Sequence, residues 1–185
     1  GGWSSGRGLR NTDSYSNVHP ALNGQGPGGG RGYELGVSNG GGSYGGLGSG
    51  GLNGGVPGVI YGDLEISKLL GGSGGGHSIS GSGNPGGGGG AISFDINGTF
   101  LLDANATISV RGGNGQPDGE SSGAGGSGGA IRIQAKAGIT NNGMIDARGG
   151  DASGEFSLAG AGGGGRVAFL TSGSLIEGIV LYGGG

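Results

Sequence analysis

The residues that could carry acid–base or metal chemistry in this chain of 185 residues are two histidines, His19 and His77, and twelve carboxylates. Neither histidine has a partner at ligand spacing, and no His-Glu-x-x-His motif occurs. Both are therefore expected to be solvated or turn histidines. Lys68 follows Ser67 and Lys136 follows Ala135, so no Gly-Lys pair exists for a phosphate-cradling loop. Matches to Gly-x-Gly-x-x-Gly arise by chance when 60 residues are glycine, and they lack the strand–helix setting that gives the motif its meaning. The absence of cysteine removes disulfides, thiolate metal sites and thiol nucleophiles together.

The carboxylates are scattered. Asp95 and Asp103 could approach across a turn, but solvated strand faces are the expectation for both. The stretches GGNGQPDGE and GGDASGE resemble calcium turns superficially, with Asp118, Glu120, Asp151 and Glu155 as candidate ligands for a structural Ca²⁺. Neither has the EF-hand spacing or the Gly-Gly-x-Gly-x-Asp nonapeptide repeat. Asn97-Gly98-Thr99 and Asn105-Ala106-Thr107 are N-glycosylation sequons, with Asn97 and Asn105 the acceptors. The expectation is a non-enzyme with no catalytic residue and no cofactor.

What must position these residues is an unusual chain. Glycine clusters in tracts rather than at every third position, and prolines number only five, so collagen is excluded. The net charge of −3 and the few aromatics point away from nucleic acid. No transmembrane run or signal peptide is visible, and the opening without Met suggests a processed product or a piece of something longer.

Three segments align on their glycine borders: AISFDINGTFLLDANATISVRGGN from Ala91, AIRIQAKAGITNNGMIDARGGD from Ala130, and RVAFLTSGSLIEGIVLYGGG from Arg166. The alignment superposes Ile92, Ile131 and Val167, then Phe94, Ile133 and Phe169. Phe100, Ile139 and Leu175 follow at the same offset of eight (100 − 92, 139 − 131, 175 − 167). A last strand superposes Ile108, Ile145 and Ile179. Apolar residues alternate within each strand, as half-buried strands require. Asn97-Gly98, Ala137-Gly138 and Ser172-Gly173 supply turns. Arg111 and Arg148 fall at equivalent places, with Asp146 and Asp151 near enough to separate their charges.

A single unit has too little apolar area to stand alone, so repeats must bury their faces on one another. The architecture expected is all-β, a parallel β-helix-like stack of about three repeats within one domain, over residues 86–185. The alternative is a β-sandwich with a polyglycine layer. The excursions 71–90, 112–129 and 149–165 read either as packed polyglycine-II-type helices or as flexible surface loops. Residues 1–57 read as polyglycine-type or irregular structure in which Trp3, Tyr15, Tyr33 and Tyr44 are isolated. Residues 58–72 read as a short helix, with Asp63 at its N-cap and Gly71 past its end, or as a strand. The strand after Gly178 lacks charge or proline to protect its edge, which makes Ile179, Val180, Leu181 and Tyr182 an assembly edge.

The borders GGGGGAISF…TISVRGGNG and GGSGGAIRI…GMIDARGGD, preceded by VIYGDLEISKLLGGSGGG, resemble glycine-rich repeat regions of large secreted or cell-surface structural proteins. The chain also resembles, without matching motifs, phage tail-tip adhesins built on a polyglycine sandwich. The first resemblance implies an extracellular or cell-surface structural or adhesive module with no catalytic residues. The function expected is a subunit or module of a fibre, surface appendage or matrix. Its partner would be itself, head to tail, or other repeats of a longer chain. The alternative is an adhesin that binds a glycan or receptor through Trp3, Tyr15, Tyr33 and Tyr44. Neither nucleic acid nor membrane insertion is expected. An ice-binding face is disfavoured, because the threonines form no regular Thr-x-Thr array.

Overall fold

The computed structural model describes residues 2–4, 23–33, 38–78, 84–117, 122–153 and 159–185. Nine short strands occur there: β1 Ala91–Ile96, β2 Thr99–Leu102, β3 Thr107–Ser109, β4 Ala130–Ala135, β5 Gly138–Asn141, β6 Met144–Asp146, β7 Arg166–Leu170, β8 Ser174–Ile176 and β9 Ile179–Leu181. They form three parallel three-stranded sheets, ordered β1-β4-β7, β2-β5-β8 and β3-β6-β9. Each repeat thus gives one strand to every sheet and forms one tier. The fold is all-β, and no helix is present among the described residues.

The register follows the repeats. Ile92 pairs with Ile131 and Ile131 with Val167, while Phe94 pairs with Ile133 and Ile133 with Phe169. Phe100, Ile139 and Leu175 stack in the second sheet. The middle tier carries the core: Ile131, Ile133, Ile139 and Ile145 are fully buried, and Ile92, Phe94, Val167, Phe169 and Val180 pack on them from the outer tiers. Burying each such side chain contributes roughly 1.5–3 kcal/mol.

In the third sheet the expected alignment of Ile145 with Ile179 is corrected. Ile145 pairs with Val180, and Ile179 lies opposite Met144. Three residues, 141–143, separate Thr140 from Met144, but only two, 177 and 178, separate their partners Ile176 and Ile179. The shorter turn shifts the strand by one residue, and a one-residue shift exchanges its faces. Val180 therefore joins the core, and Ile179 is 58% exposed.

The segment 58–72 is neither helix nor strand. Asp63 accepts hydrogen bonds from the Ser67 N–H at 2.9 Å and the Ser67 hydroxyl at 2.6 Å, so it caps one turn only. Those bonds, the hydroxyl's first, hold its carboxyl below the usual range. Ile66 then adopts φ 53°, outside the helical region, and buries its side chain beside Tyr44, Ala130 and Ala168. Burial of Ile66 wins over continuation of the turn. Tyr44 is likewise not isolated: its ring lies 4.8 Å from that of Tyr61 and 5.6 Å from the Arg166 guanidinium.

Tyr44 is fully buried, and its hydroxyl has no hydrogen-bond partner among the described residues. Burial pushes that hydroxyl up to about 12, against the opposing pull of Arg166. The folded chain therefore keeps this proton where an unfolded one releases it, near pH 10. The associated stability is complete below pH 10 and is lost as the pH rises toward 12. Tyr44→Phe removes an unsatisfied buried group, so thermal unfolding at neutral pH is expected to show a gain of about 1 kcal/mol. The same variant should lose less stability between pH 10 and 12, as alkaline melts would register.

The glycine tracts form a second kind of interior. Gly125 and Gly128 donate to the carbonyls of Gly160 and Gly163, both at 2.9 Å. Gly126 and Gly129 donate to Gly113 and Val110, at 3.0 and 2.8 Å, and Ser127 donates to Ser73 at 2.9 Å. Successive N–H groups thus point at three different neighbouring segments and return to the first after three residues. Such backbone contact leaves no room for a Cβ: one built on Gly126 would lie 2.1 Å from the Gly87 carbonyl oxygen. Two small side chains that enter this interior are hydrogen-bonded there: Ser73 and Ser127, whose Oγ accepts the Ser73 N–H at 2.8 Å. Buried backbone groups are thereby satisfied without regular sheet.

Candidate functional site

The residues singled out for chemistry do not converge. His77 is buried rather than solvated, with Nδ1 2.6 Å from the Ser78 carbonyl oxygen, because it lies on the packed tract 71–77. His19 lies outside the described residues, as do Tyr15, Asp118, Glu120 and Glu155. Asp103 serves its own turn, accepting the Ala104 N–H at 2.7 Å, and Asp95 is exposed on β1. Asp151 pairs with Arg111 at 3.0 Å. No group of three or more metal-ligating side chains occurs among the described residues.

Arg111 and Arg148 are brought side by side, with Gly112 donating to the Arg148 carbonyl at 2.9 Å. Their charges are separated as the spacing suggests. Arg111 takes Asp151, and Arg148 holds Asp146 through Nη2 at 2.8 Å and Nε at 3.0 Å. Asp146 is nearly buried, and hydrogen bonding from the Arg148 side chain holds its carboxyl below the usual range. A depressed carboxyl adds stability above its unfolded value and loses it as the pH falls through the folded one. Arg148→Ala is expected to lower the neutral-pH melting temperature. It should also abolish or reverse the acid-side loss carried by Asp146, which melts from pH 7 to 3 would detect.

The aromatic candidates separate. Tyr44 is buried, so it offers no contact surface; Trp3 is 44% exposed, and Tyr33 is half-buried with its N–H bonded to the His77 carbonyl at 2.9 Å. Asn97 and Asn105 both sit on exposed turns of the first tier.

What the structure does bring together is the end of the third tier. β7, β8 and β9 each have one sheet neighbour, leaving three edges side by side. At this end, between β7, β9 and the segments carrying Gly45 and Leu64, opens a cleft of about 380 Å³, lined by Val167, Phe169, Val180 and Tyr182, with Arg166 and Glu177 at its walls. Leu175, Ile176, Ile179 and Tyr182 are 47–62% exposed. The assembly edge read from the sequence lies within this end, but only Val180 and Tyr182 of that edge line the cleft.

Glu177 is the residue that sequence reasoning missed. One position beyond the paired Thr140 and Ile176 are Asn141 and Glu177, and Leu102, the partner of Asn141, precedes them in the column. Leu102 and Asn141 are buried, whereas Glu177, which follows β8, is exposed and sets a carboxylate on the wall of the cleft. The one-residue-shorter turn was the available signal. Arg166 does not neutralise it by default, since its guanidinium donates to the Tyr61 carbonyl at 3.0 Å and the Gly62 carbonyl at 3.3 Å.

The opposite end differs. β1, β2 and β3 also have one neighbour each, yet Phe100, Leu102 and Val110 are buried. The Phe94 and Phe100 rings pack 5.5 Å apart and help fill that end. Phe100 and Leu102 are thus covered at the first-tier end, whereas Leu175, in the column of Phe100, is 47% exposed at the third.

No family model, curated protein or solved structure matches the chain.

Proposed function

We propose that the chain is a structural module of an extracellular fibre, surface appendage or matrix, and not an enzyme. The three tiers read as a parallel β-helix-like stack, and the glycine tracts as a bundle of polyglycine-II-type helices packed beside it. The observation that carries this reading is the hydrogen bonding of residues 125–129 to three different segments with a period of three. That is the pattern of three-residue extended helices whose backbones meet without Cβ atoms. A scaffold of this kind is stiff and low in reactive side chains. Its free strand edges can join further repeats or further copies.

Localisation and negative-stain microscopy of native material test the reading. Extended assemblies or surface-bound density outside the cell are the expected result. Dispersed monomer confined within the cell would overturn it. Peptide mapping of secreted material would show whether Asn97 and Asn105 carry glycans.

A further inference from the structure

We infer that the open third-tier end is a docking surface for the first-tier end of a second copy of this chain, and that Glu177 keeps this contact weak. The inference rests on the scaffold reading above and names its partner. Both ends present three parallel edges that belong to the same three sheets. Continuing the observed register by one tier sets Val167 against Ile92 of the second copy, Phe169 against Phe94, Leu175 against Phe100, and Val180 against Ile108. Each of these is an apolar pair of the kind already stacked between the tiers of one chain. The ends are complementary in filling too: the second copy offers its partly exposed Phe94 ring, backed by the buried Phe100, to a cleft of about 380 Å³.

One column breaks the match. Glu177 would meet Leu102 of the second copy, with Asp103 next to it and no cation in that column. Burying an unpaired carboxylate opposes association strongly, and a charge beside an open strand edge is a recognised guard against pairing. The contact is heterologous, so copies that join this way continue into a filament rather than close as a pair.

Sedimentation velocity on the full chain tests this. Glu177→Leu is expected to associate at neutral pH roughly tenfold or more tightly than the unsubstituted chain, corresponding to at least about 1.4 kcal/mol. In the Glu177→Leu background, Phe169→Asp should block one end and Phe94→Asp the other, so each doubly substituted chain should be monomeric alone. Mixed, they should form a dimer and stop there. Far-UV spectra and melting curves establish that each variant is folded. If Phe94→Asp is not, Ile108→Asp blocks the same end.

A Glu177→Leu chain that associates no better than the unsubstituted one overturns the inference, as does either doubly substituted chain associating by itself. Neither result touches the scaffold reading, which stands or falls on where native material is found and whether it is extended.

Discussion

Gly126→Ala is expected to destabilise the fold by about 3 kcal/mol or more, the upper end of overpacking costs. A Cβ there would sit 2.1 Å from the Gly87 carbonyl oxygen and 2.5 Å from its carbon. Both are backbone atoms, so no side-chain rotation relieves the clash. The Gly126 N–H and carbonyl are also engaged, with Gly113 and Gly150 respectively, so moving this tract strains bonds on two sides. Gly98→Ala is the matched control. Nothing lies within 4 Å of a Cβ at that turn, and stability should stay within about 0.5 kcal/mol. Chemical denaturation of both variants measures the contrast. Equal, small effects would mean that the tracts are loosely held.

Ile139→Ala should cost about 2–5 kcal/mol, while Leu175→Ala, in the same apolar column, should cost about 1 kcal/mol or less. Ile139 is fully buried between Phe100 and Leu175, so truncation opens a cavity walled on both sides by neighbouring tiers. Leu175 is 47% exposed, with solvent already on one side. The gradient arises from position in the stack rather than residue type. It also bears on docking: a chain whose third-tier end is covered should show a larger penalty at Leu175 than an isolated one. Urea melts at low concentration, compared with melts of Glu177→Leu material at high concentration, give both values.

Much of the sheet register was legible because the three repeats preserve offset and alternation. Ile92, Ile131 and Val167 announce one another, as do Phe100, Ile139 and Leu175. The third copy's last strand departs from the repeat pattern where one residue is missing from a turn. A column of isoleucines suggested Ile179, but turn length set Val180 in the core. The segment 58–72, which reads as a short helix or a strand, is neither, for a different reason. Asp63 is a good cap, and local propensity points to a helix, but the buried pocket beside Tyr44 takes Ile66 at φ 53°. Tertiary burial decides there, and nothing in a linear pattern reports it. The open end was half legible. Edge strands without protecting charge were visible, whereas the place of Glu177 on the cleft wall follows only from the structure.

The tracts pose the sharpest question, since composition alone allows either packed extended helices or surface loops. Native-state hydrogen exchange at the amides of Gly125, Gly126 and Gly128 decides it. These groups donate to Gly160, Gly113 and Gly163, so their protection should fall within about tenfold of Ile131 and Ile133 in the adjoining strand. Exchange at the rate of an unstructured glycine peptide, beside protected β4 amides, would contradict the account of a hydrogen-bonded glycine scaffold.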